Sequence, residues 1–206
     1  MKIFLQKVEY SLLALFLAVQ TQVPFVLIQF YKGRDQSFSI GYTLLVLMVY
    51  LLIIFYALRM AKKEDLLTLD FSFFNLKSVI WLVLSYLITF GVSIFAAIIM
   101  VLEGQLSGVT ANQAALQNLF QSTPVILLVV GAVFSAPILE EILFRGLIPQ
   151  KLFPQHELIG LVVGSILFGF FHGPTNIGSF VLYAGMGGVL ALVVHQTKRL
   201  EMGILA

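Results

Sequence analysis

Four ionisable side chains stand inside stretches that are otherwise apolar. Glu140, Glu141 and Arg145 lie in Ala136-Pro-Ile-Leu-Glu-Glu-Ile-Leu-Phe-Arg-Gly146, and His172 closes Phe168-Gly-Phe-Phe-His172. An acid or a guanidinium in an apolar membrane helix costs about 2.5–3.5 kcal/mol on insertion scales, so such groups mark function before they mark architecture. Glu141 and Arg145 are four apart, share a helix face, and have the acid on the N-terminal side that favours an ion pair. Glu140 points about 100° away from Glu141. Arg145 is therefore expected to neutralise Glu141 and to leave Glu140 facing a cavity, where a carboxylate in low dielectric suits a general base. His172 could supply a second proton-transferring group or help hold a water molecule. Phe168, one turn earlier on the same face, could wedge the imidazole.

Composition says what must surround these groups. Of 206 residues, 60% are hydrophobic and only 11% charged, with mean hydropathy +1.01. A soluble domain carries roughly a quarter charged residues. The chain is therefore a multi-span membrane protein with the lipid bilayer as its solvent. It has no cysteine, which excludes disulfides, thiolate zinc sites and a cysteine nucleophile. Net charge is +2, and the basic residues sit in short clusters between apolar runs, a pattern that orients a membrane protein and does not bind nucleic acid.

The expected fold class is all-α: a polytopic membrane helical bundle with six full spans, in one membrane domain covering residues 1–206. The spans run from about Tyr10 to Tyr31, Ile40 to Leu58, Ser78 to Leu102, Pro124 to Ile148, Glu157 to His172 and Ile177 to His195. Gln20, Gln22 and Pro24 interrupt the first and suggest a face turned toward protein. A polar stretch from Arg59 to Lys77 separates the second and third. Glu103 to Thr123 reads as an exposed loop with a short helix over Ala111 to Phe120. The apolar run from Met202 to Ala206 reads as the start of a truncated seventh helix. With a cytoplasmic N-terminus, Lys2, Lys7, Arg59, Lys62, Lys63, Lys77, Lys151, Lys198 and Arg199 fall inside, against Lys32 and Arg34 outside, with Arg145 left at the end of the fourth span. Gly160 and Gly164, then Ala184, Gly188 and Ala191, are small-residue steps that read as helix packing.

The pattern Glu-Glu-x-x-x-Arg (Glu140, Glu141, Arg145) followed by Phe-x-x-x-His (Phe168, His172) resembles the CAAX protease and bacteriocin-processing family, the Abi membrane peptidases. The flanking Ala-Pro-Ile-Leu and Phe-Arg-Gly are similar too. The resemblance covers about 125–206, the family's catalytic core. It implies an intramembrane endopeptidase cleaving peptides or protein ends near the membrane, the substrate being a prenylated protein or a bacteriocin or signal peptide. By the same resemblance Glu140 activates water, His172 is its partner, and Glu141 with Arg145 supports them. Metal dependence has been argued both ways for such proteins. One carboxylate and one imidazole are too few for a zinc site, which wants three protein ligands and a water, so catalysis by glutamate without cofactor is the expectation, with zinc the alternative.

One departure is visible. The family's third motif, His-x-x-x-Asn, is expected just past Ala206, with Thr197-Lys-Arg-Leu as the turn before it. His195 precedes that turn and fits an interfacial capping role, as His156 fits a loop. The competing function is a catalytically silent relative, an immunity or scaffold protein that binds a peptide or partner in the membrane. A small transporter would explain buried charges but not the ordered motifs. A further tension is depth: counted along these spans, Glu140 and His172 lie well over about 10 Å apart.

Overall fold

A computed structural model of the chain describes residues 2–32, 38–68, 70–105, 108–121 and 123–206. Arg34, one of the two cations expected outside, lies beyond the described residues. The described residues form an all-helical bundle. Its elements are α1 (Lys2–Lys32), α2 (Ile40–Lys63), α3 (Leu76–Leu102), α4 (Ala111–Phe120), α5 (Val125–Leu152), α6 (Glu157–Phe171), α7 (Ile177–Thr197) and α8 (Leu200–Leu205). Five of these, α1, α2, α3, α5 and α7, are long and apolar enough to cross a membrane, and α6 is a shorter apolar helix. Their outward faces carry large apolar side chains, such as Leu52 and Phe55 of α2 and Leu87 and Phe90 of α3. Lipid-facing positions require that pattern.

Helix starts are read by ordinary capping. The side chains of Ser39, Asn75, Thr110 and Asn176 accept backbone N–H groups from the first turns of α2, α3, α4 and α7. Lys198 adopts a left-handed conformation (φ 56°) at the end of α7, which turns the chain into α8. The short helix expected over Ala111 to Phe120 is α4.

Helix α5 departs from a regular α-helix. Its stretches Val130–Ser135 and Ile142–Leu152 are π-helical, and only Val125–Val129 and Ala136–Glu141 are α-helical. Pro149 lies in the second π stretch, where its missing N–H and its ring are incompatible with a tight α ladder. Wide turns of this kind recur at functional sites. Here they flank the two acids.

Close packing among α5, α6 and α7 depends on small residues. A Cβ on Gly160 would fall 2.5 Å from the Cα of Pro149, and one on Gly164 would fall 2.3 Å from the carbonyl oxygen of Phe144. That bears out the packing role of this pair. On α7, Ala184 packs on Gly169 and Ala191 is buried, as expected, but Gly188 has open space where a Cβ would go, and Gly187 packs against the backbone of Ser165 instead. Helix α7 also packs on α3, while α1 and α2 close the other side of α5.

Candidate active site

Two antiparallel helices carry the motif residues, and the turn between them removes the expected difference in depth. Helix α5 continues four residues past Ile148, to Leu152. Counted from that turn, Glu140 is 12 residues back along α5 and His172 is 15 residues on from Glu157. The two counts differ by three residues, less than one helical turn. Both residues line one cavity of about 670 Å³. Its walls also include Gln22 and Phe25 of α1, Tyr50 of α2, and Asn112 and Leu116 of α4. Of the polar interruption of α1, Gln22 lines the cavity while remaining exposed, and Pro24 is buried.

The two acids part company. Glu141 is turned into the bundle, 2% exposed, and its Oε1 accepts from Arg145 Nη1 at 2.7 Å. Arg145 lies inside the span, 1% exposed, and not at its end as the span count placed it. Its Nη2 donates to the carbonyl oxygen of Gly187 at 3.0 Å, and its guanidinium carbon sits 4.4 Å from the centre of the Phe168 ring. This motif phenylalanine therefore receives a buried cation on its face. Glu141 Oε2 has no hydrogen-bond partner among the described residues, and a Cβ on Gly203 would fall 2.1 Å from it. Helix α8 can lean on the carboxylate this closely only because residue 203 is glycine. Glu140 lines the cavity, and no ion pair or hydrogen bond holds its side chain among the described residues.

His172 is held on three sides. Its Nδ1 lies 2.9 Å from the carbonyl oxygen of Phe168. A carbonyl can only accept, so Nδ1 carries the proton and Nε2 keeps a free lone pair in the neutral ring. Phe168 contacts the ring at 4.4 Å, which bears out the wedge expected one turn before the histidine. Tyr183 of α7 stacks on the imidazole at 4.4 Å and 18°. Its hydroxyl shares a 2.6 Å hydrogen bond with Thr110, and Asn112 donates to it at 3.4 Å. The sequence reading did not single out Tyr183, although a tyrosine inside an apolar span needs a partner for its hydroxyl and could have been flagged on that ground.

His195 and His156 stand apart from the cavity. His195 lies 3.4 Å from Glu157 and 3.2 Å from Lys198 at the opposite end of α7, and His156 is at the start of α6. That end of the bundle holds a second polar cluster. Arg199 bonds Asp70 at 3.0 Å, Glu201 at 3.2 Å, Thr68 at 2.6 Å and Ser72 at 2.7 Å. Ser72 and Arg199 hold the Asp70 carboxyl well below the usual carboxylate range. The connection between α2 and α3 is thereby fastened to the start of α8. No spacing in the sequence announces such a clasp across 129 positions.

Fold and site together define an integral membrane protein with a carboxylate and an imidazole on one cavity between its helices. Residues 122–206 match the model of the type II CAAX prenyl endopeptidase Rce1-like family, to which the two motifs are also similar. Among curated proteins, the chain is similar to the UPF0177 protein YvdC of Lactococcus lactis subsp. lactis (strain IL1403), 29% identical over 164 residues, which is 79% of this chain and 60% of that protein. It is also similar to the candidate membrane peptidase YdiL of Bacillus subtilis (strain 168), 33% identical over 97 residues, 46% of this chain and 38% of that protein. The UPF0177 protein YajF of the same Lactococcus strain is 27% identical over 192 residues, 92% of this chain and 93% of that protein. The chain thus spans only 60% and 38% of the first two relatives. No solved structure matches it.

Proposed function

We propose that the protein is an intramembrane endopeptidase in which Glu140 activates the attacking water. One observation carries the reading: Glu140 and His172 line the same cavity, whereas Glu141, the next residue, is spent on Arg145. Glu140 takes a proton from water as the oxygen attacks the scissile carbonyl. That proton passes to the amide nitrogen as the C–N bond breaks, leaving a carboxylic acid and an amine. His172 Nε2, the ring nitrogen left free by the Phe168 carbonyl, accepts the water's second O–H and holds it in line. Arg145 and Glu141 keep the acid-bearing turn in position and leave Glu140 as the group that titrates.

We read the reaction as glutamate-catalysed, with zinc the alternative. Among the described residues no three of His, Cys, Asp and Glu come together. Glu140 and His172 supply two of the three protein ligands that a catalytic zinc site takes. Apolar side chains such as Phe25, Ile28 and Leu119 share the cavity with Gln22 and Asn112. Such a lining suits an extended apolar peptide or protein end. Lys7, Lys62, Lys63, Lys151, Lys198 and Arg199 gather at the end of the bundle away from α4. By the positive-inside rule the N-terminus is then cytoplasmic and α4 lies on the other side.

Glu140→Gln tests the reading. A general base contributes about 10²–10⁴-fold, so cleavage of a membrane-reconstituted peptide library should nearly vanish. Folded yield should hold, because an amide is cheaper to bury than a carboxylate. Normal cleavage by Glu140→Gln overturns the assignment and leaves the silent binding protein as the reading. Inhibition by a chelator that zinc reverses would overturn the glutamate mechanism.

A further inference from the structure

The segment between α3 and α4 is tied to the imidazole-bearing region at successive points. The Glu103 carboxylate accepts the N–H groups of Ile177 and Gly178 at 3.0 and 2.9 Å, capping α7. Asn176 donates to Gln105. Thr110 and Asn112, at the start of α4, bond the hydroxyl of Tyr183, itself 8% exposed and flat against His172. Thr110 is 1% exposed, so its bond to Tyr183 is shielded from water and fixes the ring plane of the tyrosine. Asn112 also lines the cavity that holds Glu140 and His172. One wall of the cavity and one face of the imidazole therefore hang on the same hydroxyl.

We propose that Tyr183 is a positioning residue: held by Thr110 and Asn112 of the α4 segment, it clamps the His172 ring so that Nε2 faces the cavity. The clamp has two jaws, since Phe168 contacts the ring from its own helix and anchors Nδ1 through its carbonyl. Phe168 alone leaves the ring free to tilt about that one hydrogen bond. The stacked tyrosine removes the tilt, and its tether to α4 makes the orientation of His172 depend on a segment outside the long spans. The role in hydrolysis rests on the function proposed above; the orientation itself does not.

The chain has three histidines, so protein labelled with ¹⁵N-histidine gives three pairs of imidazole nitrogen signals in detergent. His172→Asn identifies the pair of interest. Wild type should show His172 in a single Nδ1–H form. Tyr183→Phe keeps the ring but frees it from α4, and should shift or average the His172 signals while His156 and His195 stay put. Thr110→Val should do the same from the other end of the bond, and Thr110→Ser, which keeps both the bond and the helix cap, should restore wild-type signals. In cleavage assays each loosened variant should lose kcat by about tenfold with KM little changed, within the 10²-fold that a misplacement of about 1 Å can cost. In kcat the double variant should be no worse than Tyr183→Phe, because that change already removes the bond to Tyr183 that Thr110→Val removes. Unchanged His172 signals in both Tyr183→Phe and Thr110→Val would overturn the clamp. Altered signals with wild-type kcat would leave the clamp standing and overturn the role of His172 in hydrolysis.

Discussion

Glu141→Gln removes one charge from a pair whose partner has nowhere to go. Both side chains are at most 2% exposed and the contact is 2.7 Å, so Arg145 cannot reach water after the change. Breaking a buried pair by neutralising one partner costs about 3–5 kcal/mol. Glutamine still offers an oxygen to Nη1, while the Gly187 carbonyl and the Phe168 face continue to hold the cation. The loss should therefore fall at the lower end, about 3 kcal/mol. For a chain of this length each kcal/mol moves Tm by about 2–4 °C, which gives a fall of about 6–12 °C. Adding Arg145→Met removes the stranded charge and fills much of its volume, and should return most of the lost stability. Thermal unfolding in detergent, followed by the fraction that stays monodisperse, reads both variants. A single variant as stable as wild type would show that the pair does not carry the helix. A double variant no better than the single would show that a stranded charge is not the cause.

Gly164→Ala should destabilise by about 1–3 kcal/mol or prevent folding, because its Cβ meets the Phe144 carbonyl, a backbone atom that cannot swing aside. Gly188→Ala, with open space at its Cβ, should be neutral or slightly stabilising in the same assay. The Asp70–Arg199 clasp makes a pH prediction. Asp70 has a depressed pKa, so its contribution is complete above the ordinary aspartate value and fades as pH falls from there toward the folded value. The stability gap between wild type and Asp70→Asn should be widest at neutral pH, shrink in acid, and narrow in 1 M salt because the carboxylate is exposed. The chain has no cysteine, so Lys62→Cys and Gln117→Cys can be labelled without background. Membrane-impermeant reagent should reach them from opposite sides, and labelling from one side would break the proposed orientation.

The span elements, the ion pair and the Phe168 wedge were legible because each follows from one helix. Apolar length locates a span, i,i+4 spacing pairs Glu141 with Arg145, and the same spacing sets Phe168 under His172. What the sequence withheld came from contacts between helices. The depth of Glu140 against His172 turned on where α5 ends, and the π-helical stretch carries that helix past Pro149, a residue that ordinarily signals a stop. The partner of His172 sits on α7, eleven positions on, and the group that holds that partner begins α4, 73 positions before it. Neither separation has a helical period. Gly203 shows the same limit from the other side. Alone it is one more glycine in a small apolar run, and only the packing of α8 reveals that a side chain there would strike Glu141. Local periodicity therefore identified which groups are expensive to bury, and the crossing of α5, α6 and α7 decided which of them met. That division explains why the motif residues could be named early, while the residue proposed to steer His172 could be found only from the fold.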